Sequence, residues 1–197
     1  MSAADLRHPG HTSVGLRWAR CPADIVEIAA LRDRAADVEA LAVQRGWRMP
    51  VLGRCLIAPG QISISVRPGR FLLLSVPAAP GDSAATWERH CAAVGSVVDQ
   101  SSGLALLWLE GAAWREALAR GCRLDLDPGV FPAGRAAATV IAQVATSLVA
   151  LSSGVLLLTP STTARHFSEW LAHTAAPFGI SERPAASLAR LSEDPLP

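Results

Sequence analysis

The chain has 197 residues, half of them apolar, and a formal net charge of +1. That length is enough for one domain burying roughly 70% of its unfolded surface, and the near-neutral balance excludes the basic footprint of a nucleic-acid binder. All 18 basic side chains are arginine and tyrosine is absent, which excludes lysine Schiff-base and tyrosine acid–base chemistry.

In chain order, residues 1–20 read as an N-terminal arm. The run "DIVEIAAL" from Asp24 to Leu31 reads as a strand, and Asp33 as the N-cap of a helix over Arg34 to Arg45 that Gly46 ends. "GWRMPVLG" is a loop. In "QISISVR", Ile62, Ile64 and Val66 alternate with Ser63 and Ser65, the period-2 mark of a half-buried strand. With "RFLLLSV" after Pro68-Gly69 it predicts a hairpin. Asp82 or Ser83 is placed to cap a second helix, whose Trp87, Cys91 and Val94 form one buried stripe before Gly95.

"DQSSG" from Asp99 to Gly103 leads into a strand over Leu104 to Leu109, and Gly111 turns into a helix over Ala112 to Arg120. "CRLDLDPGVFPAG" is an irregular crossing. Thr139 to Leu151 and Val155 to Thr159 read as strands joined by a bend at Ser152-Ser153-Gly154 rather than as a membrane span, because the run is broken by polar and turn residues. Thr162 or Thr163 caps a last helix bearing Phe167, Trp170, Leu171 and Thr174, and Gly179 ends it. Residues 181–197 read as a C-terminal tail that would not fold alone. Neighbouring strands pair as hairpins, so the fold class is α+β: one domain over residues 21–180, with helices packed on a largely antiparallel sheet.

Four constellations could carry chemistry. Asp99 beside Ser101 and Ser102 offers an acid next to a nucleophile, but the glycines of a nucleophile elbow are missing and a turn is the better reading. His166, Glu169 and His173 share a helix face without the spacing of a metalloprotease motif. Asp125 and Asp127 fit a strand end entering an Asp-Pro turn. Cys21, Cys55, Cys91 and Cys122 are scattered and read as buried free thiols. No glycine-rich phosphate loop occurs. The sequence therefore predicts no catalytic, cofactor-binding or metal residue, and an interaction subunit in place of an independent enzyme. With no secretion-signal pattern, a cytoplasmic location away from membranes is expected. Trp47 with Met49, Val51 and Leu52, and the tail around Leu188 and Leu196, are the candidate contact patches.

The order of motifs in "VVDQSSGLALLWLEG", "ALARGCRLDLDPGVFPAG", "TVIAQV" and "VLLLTPSTTARHFSEWLAHTAAPFG", after "LGRCLIAPGQISISVRPGRFLLLSV", resembles the gamma subunit of heterotetrameric sarcosine oxidase. The likeness runs over about Asp24 to Gly179. It implies a fold like the folate-binding aminomethyltransferase domain of the glycine-cleavage T-protein. It also implies alpha, beta and delta subunits as partners, in a complex using FAD, FMN, NAD and tetrahydrofolate to demethylate sarcosine oxidatively to glycine. In that family the gamma chain is an accessory without a redox centre, so no site residue is carried over. The alternative is a stand-alone folate-dependent one-carbon protein of the aminomethyltransferase type.

Overall fold

A computed structural model describes residues 15–193 of the chain. Eleven strands, in two sheets, and five α-helices follow one another as β1 (Leu16–Arg20), β2 (Asp24–Ala30), α1 (Ala35–Gln44), β3 (Arg54–Ala58), β4 (Gln61–Arg67), β5 (Arg70–Ser75), α2 (Asp82–Cys91), β6 (Gly95–Asp99), β7 (Leu104–Glu110), α3 (Trp114–Ala119), β8 (Ala136–Ile141), β9 (Val144–Ala150), β10 (Gly154–Pro160), α4 (Ala164–Ala175), β11 (Ile180–Glu182) and α5 (Leu188–Leu191) among the described residues.

The first sheet runs β11-β1-β7-β10-β9-β8 and the second β3-β4-β5-β2-β6. Strands pair antiparallel throughout, except that β11 lies parallel to β1. Side-chain alternation then dictates the layers. Leu106, Trp108, Leu156 and Leu158 on one face of the first sheet meet Ile25, Ile62, Ile64 and Leu74 of the second. On the opposite face of the first sheet, Leu107, Leu109, Val155 and Leu157 pack on α3 and α4 through Trp114, Leu118, Phe167 and Leu171. Outside the second sheet, Val26, Ile28, Phe71 and Leu73 pack on α1 and α2 through Val38, Ala42, Trp87 and Cys91. The result is four layers, helices–sheet–sheet–helices. Each fully buried Leu, Ile or Phe in them contributes roughly 1.5–3 kcal/mol.

Several expectations change. Residues 1–14 of the expected arm lie outside the described residues, while Leu16–Arg20 form an interior strand with Leu16 fully buried. Asp33 is not a cap: it takes a left-handed φ of 61°, and Arg34 stands at the N-cap without a side-chain hydrogen bond. Gly81, not Asp82 or Ser83, occupies the N-cap of α2. Ser83 instead donates to the nearly buried Asp24 carboxylate at 2.7 Å. The stretch from Thr139 to Leu151 is two strands, folded at Ala142-Gln143 with φ of 49° and 65°. Ser63 and Ser65, assigned to a solvated face, are buried, and Ser63 donates to the Arg48 carbonyl at 2.6 Å.

The C-terminal segment is part of the fold. Beyond β11 it stays along β1, with Arg183 N donating to Trp18 O and Ala186 N to Arg20 O, each at 2.8 Å. Its α5 then buries Leu188 between the sheets. Ser192 Oγ accepts from Gly60 N at 2.7 Å, tying the segment to the β3–β4 turn. No helix among the described residues is long and apolar enough to cross a membrane.

Candidate functional site

The Asp99–Gly103 bend closes one end of the second sheet. Asp99 Oδ1 accepts from Ser101 N at 2.9 Å, an Asx turn. Gln100 N donates to Ile25 O at 2.7 Å, and Ile25 N donates to Ser101 Oγ at 3.0 Å. The hydroxyl thus supplies one more rung to the β2–β6 ladder where the backbone of β6 has turned away. Hydrogen bonds from the Ser101 hydroxyl and amide hold the Asp99 carboxyl below the usual carboxylate range. The serine is occupied by structure, and no histidine is among its partners in the described residues.

His166, Glu169 and His173 lie exposed along α4, with Glu169 3.5 Å from Arg165. No group of three or more His, Cys, Asp or Glu among the described residues is placed to hold an ion. Asp125 and Asp127 are not on a strand. Asp125 Oδ1 accepts from Asp127 N and Asp127 Oδ1 from Gly129 N, at 2.9 and 2.7 Å, so the pair builds consecutive Asx turns. This crossing is pinned from α3: Arg115 Nη1 donates to Leu126 O at 2.6 Å and Phe131 O at 2.8 Å, and its guanidinium stacks 4.2 Å from the Trp114 ring. Burial pushes the Arg115 pKa down, with Asp127 opposing. Sequence reasoning missed Arg115, because its acceptors are backbone carbonyls.

All four cysteines are free. Burial pushes the Cys21 and Cys55 thiols up to about 12, and raises Cys91 and Cys122 as well. None is poised as a thiolate nucleophile.

One groove opens between the two sheets and another beside the C-terminal segment. The smaller, about 280 Å³, is lined by Glu27, Arg70, Gln100 and Thr146 among others. Glu27 is neutralised there by Arg70 at 2.6 Å and held by Gln100 Nε2 at 3.0 Å. The larger, about 560 Å³, lies between β1, β7 and the C-terminal segment and carries Arg17, Glu110, Arg183 and Arg190. Of the expected contact patches, Trp47 is buried edge-on against Trp87 at 6.2 Å and Leu188 is buried. Val51 and Leu52 are exposed, at 75% and 54%. Leu196 lies outside the described residues.

Comparison with known proteins gives a consistent picture. A family model described as sarcosine oxidase, gamma subunit family, matches residues 31–176. A chain of heterotetrameric sarcosine oxidase from Corynebacterium sp. U-96 superposes with a TM-score of 0.75 at 23% identity, over 88% of this chain and 90% of that one. Glycine cleavage system aminomethyltransferase T from Bartonella henselae superposes with a TM-score of 0.58 at 13% identity, over 87% of this chain but 48% of that one. The fold is thus shared with about half of the aminomethyltransferase. No curated protein matches the sequence.

Proposed function

The chain belongs to the sarcosine oxidase gamma subunit family, and on that premise we propose that it is a non-catalytic accessory subunit supporting assembly of a flavin-dependent oxidase acting on sarcosine or a related N-methyl amino acid. The observation that carries this reading is the family match over residues 31–176. The engagement of the candidate reactive groups supports it: Ser101, Asp99, Asp125, Asp127 and Arg115 bond to backbone groups. Catalysis needs side chains free to meet a substrate at a shared point. In this reading the alpha, beta and delta chains are the partners, FAD, FMN, NAD and tetrahydrofolate are held by them, and the assembly works in the cytoplasm.

Omission tests the reading. The other subunits, expressed with and without this chain, are compared for assembled mass and for sarcosine turnover per flavin. Loss of assembled complex without the chain, restored by adding it, is expected. Full assembly and turnover in its absence would end the assembly role. Titration of tetrahydrofolate into the isolated chain adds a second check: micromolar binding would favour a folate-dependent protein in its own right.

A further inference from the structure

We propose that the larger groove is a docking site for an acidic, extended segment of a partner subunit; this rests on the accessory-subunit reading and says where the contact is made. The groove brings together Arg17 from β1 and Arg183 and Arg190 from the C-terminal segment, residues near opposite ends of the chain. Glu110 is the one carboxylate among its described lining residues. A chain whose net charge is only +1 therefore gathers an excess of two positive charges in about 560 Å³.

The glutamate does not quench the site. Glu110 Oε1 takes Arg17 Nε at 2.7 Å, and Glu110 Oε2 accepts from Trp108 Nε1 at 3.1 Å. It is thus held as an orienting group for the Arg17 guanidinium. Arg183 and Arg190 pair with no carboxylate among the described residues. Their wall is set in place beforehand by the Arg183 and Ala186 backbone bonds to β1, by buried Leu188 and by Ser192. The backbone that carries these arginines is thus set before binding, and each guanidinium can take a carboxylate through two parallel hydrogen bonds.

Shape decides the class of occupant. Arg17, Arg183, Pro184, Ala185, Ser187 and Arg190 are exposed, so the groove is open. A small ligand would normally have most of its surface enclosed. Here one side is strand β1 and the other an extended stretch, residues 183–187, that runs into α5, a trough for a third stretch of polypeptide. The three arginines lie outside residues 31–176, so they are features of this chain beyond the family match.

The test uses the full chain and the other subunits of the same oxidase. Association is measured at low and high salt for wild type, for the double variant Arg183→Gln/Arg190→Gln, and for Arg32→Gln, an exposed arginine elsewhere. Melting of each isolated variant confirms folding. Wild-type association should weaken with salt, and the double variant should bind about 100-fold more weakly, roughly tenfold per lost charge pair, with its salt dependence reduced. Arg32→Gln should bind like wild type. A folded double variant that binds with unchanged affinity would overturn the proposal. Failure of the wild-type chain to associate would refute the accessory-subunit reading, and this proposal with it.

Discussion

Replacing Ser101 with alanine tests the account of the bend directly. Ile25 is 1% exposed, and its amide donates to Ser101 Oγ at 3.0 Å. Removing the hydroxyl deletes one hydrogen bond, a net loss of about 1 kcal/mol, and leaves a buried N–H without an acceptor, a penalty of roughly 1–3 kcal/mol. Some of that is recovered if water reaches the amide, so a total near 2 kcal/mol is expected. For a chain of this size that lowers Tm by roughly 4–8 °C. Urea denaturation of the isolated chain measures it, with Ser102→Ala as the control. Ser102 is exposed, so its removal should change stability by less than about 0.5 kcal/mol. Equal stability of the two variants would refute the claim that Ser101 completes the β2–β6 ladder.

Other expectations follow from the same contacts. The folded-state pKa of Asp99 is lowered, so its contribution is present above the ordinary carboxylate range and fades as pH falls through the lowered value. Asp99→Asn should therefore flatten the acid side of the stability–pH curve, read by melting between neutral pH and acid. Gln143→Gly should stabilise the protein by about 0.5–1 kcal/mol in urea, because φ of 65° strains any residue with a Cβ. Arg115→Met should cost about 3 kcal/mol by freeing two carbonyls. It should also expose residues 122–131 to limited proteolysis. The raised thiol pKa values predict that a thiol reagent at neutral pH reacts slowly with native protein and fully after denaturation.

Where side-chain period and burial agree, the fold was legible. The stripe Trp87, Cys91 and Val94 faces the core as read, and Ile62 and Ile64 enter the inter-sheet layer. The misreadings share a cause. Ala142-Gln143 makes a tight turn with no glycine or asparagine to mark it, so the strand seemed continuous. Strands β1, β3 and β11 are only three to five residues long, too short for a period to show, and β1 and β11 are stabilised by partners far along the chain. The Asx turn at Asp99 is local and could be read; the Ser101 bond to Ile25 spans 76 residues and could not. The arginine groove is still less local, since β11 and the C-terminal segment have to reach back to β1 before it exists.

The central claim is that this chain works as part of a flavin-bearing assembly. A pull-down of the tagged full chain, expressed with the other oxidase subunits, followed by an absorbance scan of the eluate, tests it most directly. The account predicts that the chain brings down those subunits together with bound flavin. A colourless, monomeric chain recovered alone would contradict it.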